Sequence, residues 1–245
     1  MKTLGSDLSL YSDQVDSEII DKYISDYFLL DKAKGSFNGD LIKLSQTGNG
    51  LLITMGDCIG NDSSTCLIKE FVLNKIEEII QVEGITLPNL IINRIYDYLH
   101  QIAPKYTNPE FLMACGAINL APQSGFFTFS SSRINLLYIG SNTFELFYSG
   151  LSINSSKKLR INNISLVPWD PNGSYYLFTD GVFDQLSGSS LERYSRSRLI
   201  NLLSDIREMP LPLQVRELTK SLASWQGEIE QTDDYLILGF KLHAL

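Results

Sequence analysis

The apolar residues change period four times along the chain, and that alternation limits the fold more than any other feature. Short apolar runs lie between residues 27 and 55, and helix-type periodicity takes over at 63–82 and 88–103. Short runs return between 111 and 178, and helical spacing resumes at 196–206 and 211–225. A last run, Tyr235-Leu236-Ile237-Leu238-Gly239-Phe240, closes the chain. Runs of this length bounded by Gly, Asn and Ser read as strands, whereas apolar residues three and four apart read as one helix face. The order strands, two helices, strands, two helices, strand predicts one α+β domain over residues 1–245, built of layered antiparallel sheets covered by helices. Residues 1–22 are polar and acidic and read as a short lead-in, with an edge strand near Leu8-Ser9-Leu10-Tyr11.

The first helical segment can start at Ser63 or Ser64, and the second is framed by Pro88 and Pro104. Both read as cover for the core. Coupling of a regulator, or of a second copy in a homodimer, is the weaker alternative for the same helices.

Several classes of function are excluded. A net charge of -8 is a poor basis for binding nucleic acid. The three cysteines, Cys58, Cys66 and Cys115, are too scattered for a disulfide framework or zinc cluster, and they fit a reducing compartment. The N-terminus lacks the apolar centre of a signal peptide, and no apolar run is long enough to span a membrane. A soluble, cytoplasmic protein with no membrane partner is expected. A cysteine phosphatase needs Arg six residues after its Cys, and Ser64, Val72 and Ala121 stand there. The two histidines, His100 and His243, lie near no nucleophile elbow. No P-loop and no H-E-x-x-H motif occurs.

Four aspartates remain, each where an apolar run meets a turn: Asn38-Gly39-Asp40-Leu41, Gly56-Asp57-Cys58-Ile59-Gly60, Phe178-Thr179-Asp180-Gly181 and Thr232-Asp233-Asp234-Tyr235. Any one of them can be a turn former, because Asp bonds its own backbone. Two of them are tied together by the hairpin expected from Leu41–Ser45 and Gly50–Met55 around Gln46-Thr47-Gly48-Asn49. Its register puts Asp40 and Asp57 at the same end of a sheet. Gathered carboxylates repel unless cations neutralise them. Oxygen ligands of this kind suit Mg²⁺ or Mn²⁺. Two such ions about 3.5–4 Å apart activate a water for attack on phosphorus.

The same stretches resemble the metal-dependent PPM-type serine/threonine phosphatases, specifically their bacterial SpoIIE-like branch. Gly39-Asp40 is similar to that family's first G-D, and Gly56 to Gly60 to its D-x-x-G-H-G element. Leu177-Phe178-Thr179-Asp180-Gly181-Val182 resembles L-Y-T-D-G-V, and Asp233-Asp234-Tyr235-Leu236-Ile237-Leu238 resembles D-D-I-T-L-L. Leu136-Leu137-Tyr138-Ile139-Gly140-Ser141 resembles L-x-Y-x-N-A-G-H. The matches keep the family's order over roughly residues 25 to 242. The resemblance implies a four-layer αββα sandwich with two metal ions, Mn²⁺ or Mg²⁺, between the sheets at one end. It implies Asp57 as the ligand shared by both ions, the Cys58 carbonyl on one of them, Asp180 and Asp233 on the first, and Asp40 on the second. Asp57 and Asp180 would then be the residues closest to catalysis, and Asp234 a support behind them. It further implies a phosphorylated regulatory protein of the anti-anti-sigma kind as substrate, dephosphorylated on Ser or Thr by the water between the metals. Asn61-Asp62 stands where the family has His-Gly. That change motivates the alternative of a catalytically weak phosphatase-fold protein acting as a regulatory binding module.

Overall fold

The computed structural model describes residue 8 and residues 17–48, 50–58, 63–106, 113–123, 125–149 and 160–245. Within them lie two antiparallel sheets of five strands each, flanked by helices. The first sheet has the order β2 (Asp40–Thr47), β3 (Gly50–Cys58), β4 (Met113–Gln123), β5 (Phe126–Ser132) and β8 (Ser165–Pro168). The second has the order β1 (Ile24–Lys32), β10 (Tyr235–Leu242), β9 (Ser174–Phe178), β6 (Asn135–Ile139) and β7 (Phe144–Tyr148). Helices α2 (Ser63–Gln81) and α3 (Pro88–Tyr106) lie on the outer face of the first sheet. Helices α5 (Arg196–Ile206) and α6 (Leu211–Gln226) lie on the outer face of the second. This is the expected four-layer sandwich.

The layering follows from strand alternation, since successive side chains point to opposite faces. In β3, Leu51, Ile53 and Met55 join the cluster between the sheets, while Leu52 and Cys58 join the cluster under α2 and α3. In β10, Leu236, Leu238 and Phe240 face the other sheet, and Tyr235 and Ile237 face α5 and α6. β3 and β10 are therefore apolar on both faces. The helices supply the matching stripes, with Ile68, Val72, Ile76 and Ile79 buried on α2 and Leu199, Leu203 and Ile206 on α5. Each such side chain contributes about 1.5–3 kcal/mol when fully buried.

Three short elements differ from expectation. Within the stretch expected as a lead-in, Ser17–Tyr23 forms a helix, α1, whose Ile20 and Tyr23 are buried in the inter-sheet cluster. Its exposed Glu18, Asp21 and Lys22 masked the pattern. Leu8 is buried in the same cluster, and residues 9–11 of the expected edge strand lie outside the described residues. Strand β8 was hidden by its length of four residues and its closing proline, which an edge strand tolerates. The four-residue helix α4 (Gly181–Asp184) follows directly on Asp180.

Candidate active site

Asp40 and Asp57 lie at the same end of the β2–β3 hairpin, as expected, and are Cα partners in its ladder. Asp57 continues the face of Ile53 and Met55, and Asp40 that of Ile42 and Leu44. Both carboxylates thus enter the space between the sheets where the apolar packing stops. The second sheet delivers its residues to the same end. Strands β9 and β10 pair with Phe178 opposite Ile237, so the Thr179–Asp180 turn and the Asp233–Asp234 turn are neighbours.

Backbone contacts lock these turns against each other. The Cys58 N–H donates to the Gly39 carbonyl at 3.0 Å. Both oxygens of Asp234 accept backbone N–H groups, from Lys34 and from Gly39, at 2.7 Å each. Asp234 therefore clamps the β1–β2 connection of this chain onto the start of β10. A Cβ on Gly39 would collide with the Cys58 carbonyl oxygen, and one on Gly181 with the Asp234 carbonyl oxygen, so both positions need glycine for close approach. The loop before Asp233 is held by Gln231, whose amide donates to the Lys32 and Asp233 carbonyls, and by Gln185, which accepts from Thr232 N–H.

The electrostatics of the carboxylates are those of crowded anions, with Asp40 and Asp234 buried, Asp57 and Asp180 partly so and Asp233 exposed at the rim. Burial and the neighbouring charge of Asp57 raise the Asp40 carboxyl well above the ordinary range. Burial, followed by the charges of Asp180, Asp233 and Asp234, pushes Asp57 up to about 8, with Arg133 partly offsetting them. Asp233 is also raised, chiefly by burial. The Cys58 thiol is buried on the helix side and its pKa is driven upward by that burial, which leaves the carbonyl as the group Cys58 can offer.

Three residues that the sequence did not single out belong here. The Thr179 hydroxyl donates to Asp40 Oδ2 at 3.1 Å and accepts the Leu236 N–H at 3.0 Å, joining the two sheets. Lys69 of α2 donates through Nζ to the backbone carbonyls of Asp40 and Asn38. Arg133, in the turn between β5 and β6, pairs with Asp180 Oδ2 at 3.0 Å. Thr179 stood inside a motif already noted; Lys69 and Arg133 are brought in from elements remote in sequence, which no local pattern indicates.

As the side chains stand, no three His, Cys, Asp or Glu residues among the described ones converge at metal-ligand distance. Asp180 is drawn to Arg133 and Asp234 to backbone amides, while mutual repulsion acts against closer approach of the rest. The set nonetheless fits a hard cation. Asp40 Oδ1 is buried with no hydrogen-bond partner, an arrangement that is costly for a carboxylate unless a cation meets it. Ile59, Gly60, Asn61 and Asp62 lie outside the described residues.

Residues 47–243 match the model of the family described as Stage II sporulation protein E. The chain belongs to the SpoIIE family. No curated protein matches significantly. Among solved structures, the SiaA-PP2C domain of Pseudomonas aeruginosa superposes with a TM-score of 0.79 at 24% identity, over 89% of this chain and 86% of that one. The PP2C phosphatase domain of SpoIIE from Bacillus subtilis, solved with a fragment of its regulatory domain, gives 0.69 at 15% identity, over 90% of this chain and 64% of that one. RsbX, solved in complex with magnesium, gives 0.58 at 16% identity, over 89% and 94%. The SpoIIE-family chain described here therefore has the PP2C-type serine/threonine phosphatase fold. No helix among its described residues is long and apolar enough to cross a membrane.

Proposed function

We propose that this chain is a cytoplasmic, divalent-metal-dependent phosphatase that removes phosphate from serine or threonine of a small regulatory protein. The observation that carries the reading is the meeting of Asp57 with Asp40, Asp180 and Asp233 at one mouth of the sandwich, with an oxygen of Asp40 buried and unpartnered. Asp40, Asp57, the Cys58 carbonyl, Asp180 and Asp233 would hold two ions, Mg²⁺ or Mn²⁺. Those ions would supply a water acidic enough to serve as nucleophile at neutral pH. The magnesium complex of RsbX supports the choice of a hard cation.

The chain's own residues have defined work in this scheme. Asp57 lies on the inter-sheet face beside Asp40 and would serve as a ligand to both ions. Thr179 fixes one oxygen of Asp40 and leaves the other for a ligand role. Asp234 holds the backbone on which Asp40 and the Cys58 carbonyl are mounted. Attack of water on phosphorus breaks the bond to the serine or threonine oxygen. The products are the free hydroxyl and inorganic phosphate, and no residue carries the phosphoryl group in between.

The test is hydrolysis of p-nitrophenyl phosphate and of a phosphoserine-bearing regulator with Mn²⁺ or Mg²⁺. Turnover should vanish in chelator and fall by about 10² or more in Asp57→Asn and Asp180→Asn. Absence of turnover from pH 6 to 9 with either metal would contradict the reading and favour the binding-module alternative.

A further inference from the structure

Arg133 occupies a place that the turn between β5 and β6 does not by itself explain. Its φ is 66°, in the left-handed region that favours glycine and costs a bulky side chain free energy. The backbone is held there by its N–H to the Ser149 carbonyl at 2.9 Å, and its carbonyl accepts the Asn135 side-chain amide at 3.3 Å. The guanidinium is 37% exposed and makes one bond, from Nη2 to Asp180 Oδ2. A guanidinium has five N–H donors in a planar fork. The other four have no partner among the described residues.

The surroundings give those donors a use. Asp40, Asp57, Asp180, Asp233 and Asp234 lie at the mouth, Asp184 follows within α4, and the chain as a whole carries a net charge of -8. A phosphate monoester is a dianion, and such a surface repels it. Of the other cations near these carboxylates, Lys69 is spent on the backbone carbonyls of Asn38 and Asp40, and Lys34 is exposed on the Asp233 side. Arg133 combines partial exposure, a charge that acts on Asp57, a bond to Asp180, and uncommitted donors.

We infer that Arg133 is the substrate-binding residue of this site, taking the phosphoryl oxygens of a phosphomonoester in its guanidinium fork. The inference rests on the dimetal reading above. Its strained backbone is then the means of aiming a long side chain from a sheet edge back over the carboxylates. The bond to Asp180 keeps the fork at the mouth, and a phosphoryl group would engage the donors that bond leaves over.

Two variants test this. Arg133→Gly suits the backbone, so loss of folding is not expected, and Arg133→Lys keeps the charge without the fork. Calorimetric titration of Mg²⁺, and then of inorganic phosphate onto the Mg²⁺-loaded protein, separates the two kinds of binding. The expected result is phosphate binding weakened about tenfold or more in Arg133→Gly and several-fold in Arg133→Lys, with Mg²⁺ affinity unchanged or tighter because Asp180 loses a competitor. Unchanged phosphate affinity in Arg133→Gly would overturn the inference. So would a loss of Mg²⁺ binding in that variant, which would make Arg133 a prop for Asp180. A wild-type protein that binds neither Mg²⁺ nor phosphate overturns the dimetal reading and this inference together; one that binds both while the variants match it overturns this inference alone.

Discussion

The hydroxyl of Thr179, at the end of one sheet, donates to a carboxylate oxygen of Asp40, at the start of a strand in the other. The Thr179 hydroxyl oxygen in turn accepts from Leu236 N–H, so one small side chain fixes both the gap between the sheets and the orientation of Asp40. Thr179→Val keeps the shape and removes the hydroxyl. It should cost about 0.5–1.5 kcal/mol of stability, the range for an ordinary hydrogen bond, and weaken Mn²⁺ binding. Urea unfolding in chelator checks the first effect and calorimetry the second. A variant as stable as wild type would show that the bond does not join the sheets energetically.

Adjacent aspartates at the closing turn should separate by function. Asp234 gives both oxygens to backbone N–H groups of Lys34 and Gly39, whereas Asp233 bonds the N–H of Asp234 through Oδ1 at 2.9 Å. Asp234→Asn turns an amide N–H₂ toward a backbone donor and should destabilise the metal-free protein by about 2 kcal/mol. Asp233→Asn should cost less stability and lower metal affinity more. Thermal melts with and without Mn²⁺ measure both, and a reversed order would exchange the two roles.

Gly39→Ala puts a methyl group into the Cys58 carbonyl oxygen. Backbone must move to admit it, at a cost of about 2 kcal/mol or more, and the moved group is the carbonyl assigned to the metal. Gly35→Ala, with open space around its Cβ, is the control and should leave melting and metal binding near wild type. Equal behaviour of the two variants would contradict the close approach.

The metal-free protein should lose stability as pH rises. The folded-state pKa of Asp57 is raised to about 8, and those of Asp40 and Asp233 are raised as well. Their unfolded values lie near 4, so the native state holds more protons than the unfolded state between about pH 4 and 8. Stability is fully present below that window and is lost across it. In chelator the melting temperature should be lower at pH 8 than at pH 5 by about 4 °C or more, and Mg²⁺ should restore it at pH 8. A melting temperature that is flat or rises over the window would contradict the crowding of these carboxylates.

Much of the fold was legible because its central strands, such as β3 and β10, are apolar on both faces and its helices are not. Periodicity located α2, α5 and α6 within a residue or two, and the hairpin expected around Gln46-Thr47-Gly48-Asn49 put Asp40 and Asp57 at one end of a sheet, where the ladder pairs them. Helix α1 and strand β8 escaped because they are short, and tertiary burial of Ile20, Tyr23 and Val167 decides them. In the site, aspartates at strand ends were visible as a local pattern. Thr179, Lys69 and Arg133 act across sheets or from a helix and a distant turn, so their part is set by three-dimensional contacts that no spacing encodes. The clamp made by Asp234 is of the same kind, since its partners lie about two hundred positions away in the chain.

Calorimetric titration of Mn²⁺ into the wild-type protein and into Asp57→Asn tests the central claim most directly. Two sites in the wild type, both abolished or severely weakened by removal of the single carboxylate proposed to serve both ions, is the predicted result. No Mn²⁺ binding by the wild type, or equal binding by Asp57→Asn, would contradict it.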